Sequence, residues 1–195
     1  MILLENQASV TFGCHNKFNI PIQIMNNFLL EGEPGVGKTT LVLNLAERLS
    51  HFQIGGFYTQ EIREHGQRVG FRLATFSGQG GILSHVKFTA GPIVGKYRVD
   101  LPQFEKIAVQ ALETALGASS IIMIDEIGKM ELLSERFKEI LPRCFASEKT
   151  LIATIMSHAN PYVDSLKNRT DVRLIKVTRE NRNNLVLDLL AEIIK

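Results

Sequence analysis

A chain of 195 residues, 45% hydrophobic and 22% charged, has room for one domain with a substantial core and little room for two. Its 22 basic and 20 acidic residues leave a scattered net charge of +2, which argues against nucleic acid or an anionic membrane surface as a partner. Cys14 and Cys144 make no disulfide framework, the five histidines share no metal-ligand spacing, and no apolar run approaches a membrane span, so a cytoplasmic location is expected.

In chain order, the first dozen residues, MILLENQASVTF, carry a glutamate and no basic n-region, and make a poor signal peptide. FLL (28–30) reads as a buried strand that leads into EGEPGVGKTT (31–40). Leu41, Leu45 and Leu49 then mark one stripe of a helix ending near Ser50. FYTQEIREHGQRVGFRLATF (57–76) predicts two antiparallel strands about a turn at His65–Gly66, and GILSHV (81–86) a third. Phe104, Ile107, Ala108, Ala111, Leu112 and Ala115 follow helical spacing, with Asp100 to cap the start and Gly117 to end the helix. IIMID (121–125), TLIATIM (150–156) and VRLIKV (172–177) are apolar without alternation, as strands buried on both faces are. Leu133, Phe137, Ile140, Leu141 and Cys144 predict a helix that Pro142 kinks or shortens, and Leu185, Leu189 and Ile193 predict the last one. Strands alternating with helices imply an α/β fold with a mostly parallel central sheet, carrying an antiparallel elaboration in the middle of the chain.

The 31–40 stretch fits G-x-x-x-x-G-K-[ST], with Gly32, Gly37, Lys38 and Thr39 in the fixed places. Glycines there let successive backbone N–H groups face a polyphosphate, and the helix N-terminus adds a favourable dipole. Lys38 is placed for the β- and γ-phosphates and the Thr39 hydroxyl for Mg²⁺. A phosphate loop also needs a carboxylate at the end of another buried strand for the metal, and Asp125 supplies it. Glu126 follows. Strand alternation points it away from Asp125, towards the neighbouring strand's edge, where a carboxylate polarises a water for attack on the γ-phosphate. Charge on the transferred group calls for a further cation, for which Lys129, Lys96, Arg63, Arg72 and Arg182 are candidates. Lys129 lies nearest in sequence to the chemistry, and Arg182 lies after the last strand, where it is expected to stack on the nucleobase.

GEPGVGKTT, GGFYTQEIREHGQRVGFRLATF, VGKYRVD, IIMIDEIGKMELLS and VTRENR occur in the order of one P-loop nucleoside-triphosphatase family, which includes thermophile enzymes and the human cancer-related nucleoside triphosphatase. The chain resembles that family over roughly residues 26 to 190. The resemblance implies a three-layer RecA-like core in which another strand separates the phosphate-loop strand from the Asp125 strand. It implies slow, Mg²⁺-dependent hydrolysis of ATP, GTP and other nucleoside triphosphates with loose base preference. It also implies nucleotide contacts along the loop (Gly32, Glu33, Pro34, Gly35, Val36, Gly37, Lys38, Thr39 and the adjoining Thr40) and along Ile122, Met123, Ile124, Asp125, Glu126, Ile127, Gly128 and Lys129. The 24 residues ahead of Met25 depart from the family's start, and are expected to be a peripheral extension to a single P-loop domain over 25–195. Two other functions share the phosphate loop. One is a small-molecule or nucleic-acid kinase, for which no arginine-rich lid is evident; the other is a nucleotide-dependent binding switch with an unknown protein partner.

Overall fold

The computed structural model describes residues 26–194. The expected 1–24 extension therefore lies outside the described residues. Among the described residues, nine strands form one sheet: β1 (Asn27–Glu31), β2 (Ile54–Glu64), β3 (Gln67–Thr75), β4 (Gly80–His85), β5 (Ile93–Val94), β6 (Tyr97–Val99), β7 (Ile121–Ile127), β8 (Thr150–Ile155) and β9 (Val172–Lys176), in the order β5-β6-β4-β3-β2-β7-β8-β1-β9. The run β2-β7-β8-β1-β9 is parallel throughout, whereas β2-β3-β4-β6-β5 is antiparallel. β8 lies between the phosphate-loop strand and the Asp125 strand, as the resemblance implied.

Both faces of β1, β7 and β8 are apolar and buried, which is why these strands do not alternate, whereas β9, expected to be buried on both faces, is an edge strand with Arg173, Leu174 and Lys176 exposed. One face packs Phe28, Leu30, Met123 and Ile152 against Leu41, Val42 and Leu45 of α1 (Lys38–Arg48) and Val186 and Leu189 of α6 (Arg182–Ile193). The other packs Leu29, Ile122, Ile124, Leu151 and Ala153 beneath a second helical layer. That layer holds α2 (Leu101–Phe104), a wide π-helical turn (Glu105–Val109), α3 (Gln110–Ala118), α4 (Glu135–Phe145) and α5 (Pro161–Lys167). Phe57, Phe104 and Phe137 meet edge to face at its centre, with centroids 5.4 to 5.8 Å apart.

Asp100 caps α2 as expected, accepting from the Gln103 N–H at 3.0 Å. Gly117 does not end the helix that follows: α3 continues to Ala118, and Ser119 turns the chain into extended backbone. Ser134 caps α4, which leaves Leu133 in a preceding 3₁₀ turn and exposed rather than on the helix stripe. Pro142 neither shortens nor ends α4. A proline there has no N–H for the Lys138 carbonyl. The Tyr162 hydroxyl supplies the missing donor at 2.7 Å, so the helix continues. No helix among the described residues is long and apolar enough to cross a membrane.

Candidate active site

The loop between β1 and α1 closes over its own backbone. A Cβ at Gly32 would lie 2.7 Å from the Val177 carbonyl oxygen, and Gly37 has φ +105° with the Arg182 guanidinium 2.7 Å from the same position. Only glycine fits either place. Lys38, 8% exposed, donates to the Gly32 carbonyl at 2.7 Å and lies 3.3 Å from Glu126 Oε1. Thr39, on the next residue of α1, donates through its hydroxyl to Asp125 Oδ2 at 2.7 Å. On the far side of the same carboxylate, the Thr154 hydroxyl of β8 donates to Oδ1 at 2.6 Å. Asp125 is 1% exposed, and burial pushes its carboxyl above the ordinary range, against the pull of the Thr154 and Thr39 hydroxyls and the Lys38 charge. Burial and the neighbouring Asp125 push Glu126 up as well, and Lys38 opposes them.

Strand alternation separates Asp125 from Glu126 on paper, but both carboxylates line one cleft. The register between β7 and β8 breaks between Ile124 and Ile127, the stretch that holds both residues. Alternation is a property of an unbroken ladder, and here the ladder is interrupted. Ile122, Met123, Ile124 and Ile127 are fully buried in the two cores. Their side chains hold β7 in place and do not reach the cleft.

The cleft encloses about 710 Å³. Its floor is Gly32, Gly35, Gly37, Lys38, Thr39 and Thr40; one wall is Asp125, Glu126, Gly128, Lys129 and Glu131. The opposite wall comes from the antiparallel half, through Thr59, Glu61, Arg63, Arg68 and Phe71, and Ser157 and His158 after β8 close the rim. Pro34 also lines it, whereas Glu33 and Val36 face a second cavity of about 390 Å³ behind the loop, beside Lys176 to Glu180. A buried lysine beneath a glycine-rich loop, beside two carboxylates and a hydroxyl that line the same cleft, offers donors that could hold a polyphosphate and oxygens that could hold a hard cation.

The model of a family described as NTPase matches residues 27–190. The chain belongs to this NTPase family. It is 45% identical over 163 residues to the nucleoside-triphosphatase THEP1 of Thermotoga maritima, covering 84% of this chain and 92% of that one. It is 41% identical over 177 residues to the human cancer-related nucleoside-triphosphatase, covering 83% and 93%. Among solved structures, THEP1 from Aquifex aeolicus superposes with a TM-score of 0.80 at 36% identity, over 87% of this chain and 99% of that chain. The solution structure of the human protein gives 0.72 at 38% identity, over 85% and 95%.

Within this NTPase fold, the five candidate cations separate. Lys129 is exposed on the cleft rim, and Arg63 lines the opposite wall. Lys96 lies over the Tyr97 ring, 5.6 Å from its centroid, and neither it nor Arg72 lines the cleft. Arg182 is the first residue of α6 and donates to the Val36 carbonyl at 2.9 Å. It braces the loop from behind and is not free in the cleft for a nucleobase, as stacking had been expected to require. Of the cleft or cleft-supporting residues that sequence reasoning missed, three are instructive. Thr154 interrupts the apolar run that follows Thr150 in β8, a signal that was available. Arg68 stands opposite Arg63 across the hairpin, a pairing that the turn at His65–Gly66 foreshadows. Glu131, 6% exposed, lies in the 3₁₀ turn after β7, and nothing in its spacing announces burial.

Proposed function

We propose that this nucleoside-triphosphatase cleaves ATP, GTP and other nucleoside triphosphates to the diphosphate and phosphate, with Mg²⁺, slow turnover and loose base preference. The convergence of Lys38, Thr39, Asp125 and Glu126 on one cleft carries this reading, with the nucleoside-triphosphatase names of the relatives beside it. Lys38 gives up its hold on the Gly32 carbonyl to meet the β- and γ-phosphates, while loop N–H groups bind their remaining oxygens. The Thr39 hydroxyl and the Asp125 carboxylate, already 2.7 Å apart, are the hard oxygen donors that Mg²⁺ takes. Bound there, Mg²⁺ would neutralise charge on the phosphate oxygens. Glu126 accepts a proton from water as that water attacks the γ-phosphorus, and the bond to the β-phosphate oxygen breaks. Lys129, on the rim, is the residue proposed to offset charge on the departing phosphoryl group.

Phosphate release from ATP, GTP, CTP and UTP, measured side by side with and without Mg²⁺, tests this reading. Release from all four without any acceptor, abolished by chelator, is expected. Purine affinities should lie within about tenfold, or 1.4 kcal/mol, because no Asn-Lys-x-Asp guanine-reading motif is present. Diphosphate formed only with an added alcohol or nucleotide acceptor, which itself takes up the phosphoryl group so that no free phosphate appears, would make the protein a kinase.

A further inference from the structure

We propose that Thr154 is a positioning residue that sets the cation preference of the site: by occupying Oδ1 of Asp125, its hydroxyl leaves that carboxylate a single oxygen to offer a divalent metal. The inference rests on the reading of Asp125 as a metal-holding residue. Its geometry comes from the irregular end of β7. The β7–β8 ladder pairs Ile124 with Ala153 and resumes at Ile127 with Ile155, so Asp125 and Glu126 stand opposite the single residue Thr154. On its other side, β8 pairs Thr154 with Leu30 of the strand that enters the phosphate loop. Thr154 is therefore fixed between the two strands that carry the site.

Thr154 is fully buried, and its neighbours along β8, Ile152, Ala153 and Ile155, are apolar. Valine has the same shape without a hydroxyl, and an unbonded hydroxyl would be costly to bury there. The bond that offsets this cost runs from the Thr154 hydroxyl to Asp125 Oδ1 at 2.6 Å. The Thr39 hydroxyl donates to Oδ2 at 2.7 Å, and the Thr59 backbone also bonds the carboxylate, from β2. Thr39 and Asp125 line the cleft and Thr154 does not. Oδ1 is thus turned into the sheet, while Oδ2 stays beside the Thr39 hydroxyl, the other oxygen proposed for the metal. Mg²⁺ takes few protein oxygens and keeps much of its water, whereas Ca²⁺ accepts more ligands and can take both oxygens of one carboxylate. Holding Oδ1 in a hydrogen bond therefore favours Mg²⁺ over Ca²⁺.

Affinities for Mg²⁺–ADP and Ca²⁺–ADP, measured by calorimetry on Thr154→Val and Thr154→Ser, test this without any need for turnover. Thr154→Val keeps the shape and frees Oδ1. Hydrogen bonds to charged groups are among the stronger ones, so the ratio of Mg²⁺–ADP to Ca²⁺–ADP affinity should fall about 10-fold or more from its wild-type value. Thr154→Ser keeps the hydroxyl, and its ratio should stay within about threefold of wild type. A valine variant with the wild-type ratio would overturn the proposal. So would one that lost affinity for both complexes equally, which is what a purely structural role would do. A serine variant with a ratio as low as the valine's would also overturn it, because the methyl group and not the hydroxyl would then matter. Should Thr154→Val fail to fold, Thr154→Ala also removes the hydroxyl and is read in the same way. Asp125→Asn measured in parallel separates the two failures. Unchanged Mg²⁺–ADP affinity there would remove Asp125 from the metal, and the Thr154 role with it. A weakened Asp125→Asn beside an unaltered Thr154→Val would strike the Thr154 role alone.

Discussion

The phosphate-loop side of the cleft buries its charged groups, and the hairpin on the opposite side leaves its own half-exposed. Lys38, Asp125 and Glu131 are all buried, each among partners drawn from different elements. On the hairpin, Glu61 joins Arg63 and Arg68 in half-exposed pairs, and Arg68 lies over the Phe71 ring at 5.1 Å. Buried charges seldom add stability, because desolvation offsets most of their attraction, whereas exposed pairs cost little and contribute little. The contrast teaches where precision is needed. The phosphate-loop side is electrostatically costly; the hairpin that forms the opposite wall is not.

The largest effect expected from this contrast is at Lys38. Lys38→Ala removes a charged donor from the phosphates, a contact of about 1.5–3 kcal/mol, so nucleotide affinity should fall roughly 10- to 100-fold. Calorimetry with unchanged ATP affinity would take Lys38 out of the site. The next is a pH effect from Glu131. The folded protein holds its proton from the ordinary 4.5 up to about 8, whereas the unfolded chain loses it near 4.5. The folded state then binds more protons across that window, so this group's contribution to stability is present at low pH and lost as pH rises to about 8. Glu131→Gln should abolish that decline, which melting curves between about pH 5 and pH 8 will show by comparison with wild type. Parallel curves for the two proteins would contradict a buried, proton-holding Glu131. The smallest effect belongs to the hairpin. Arg68→Ala should cost no more than about 1 kcal/mol, since exposed pairs and cation–π contacts are each worth roughly that or less. A loss of several kcal/mol would erase the distinction between the two halves.

Much of the parallel half was legible because its signals are local. Apolar runs without alternation gave β1, β7, β8 and β9; the glycine pattern marked the loop; Asp125 stood out at the end of a buried strand. What was not legible depends on elements far apart in sequence. Nothing near Glu126 says that the β7–β8 ladder breaks there, turning both carboxylates into one cleft. Pro142 looked like a helix breaker because its remedy, the Tyr162 hydroxyl, comes from another helix. Arg182 was legible as following the last strand, but not that it opens α6 and gives its guanidinium to the Val36 carbonyl. Glu131 was hidden for the same reason: burial is decided by the turn that folds it under β7.

Adjacent carboxylates are proposed to divide the labour, Asp125 holding the metal-bound nucleotide and Glu126 activating water. Turnover and Mg²⁺–ATP affinity measured together on Glu126→Gln and Asp125→Asn test that division most directly. Positioned general bases contribute roughly 10² to 10⁴ in rate, so Glu126→Gln should lose about that much turnover while binding Mg²⁺–ATP as wild type does. Asp125→Asn should bind Mg²⁺–ATP more weakly as well as turn over more slowly. Near-normal turnover by a Glu126→Gln protein that binds ATP normally would contradict the account, and the proton would then have to pass to another residue or to the γ-phosphate itself.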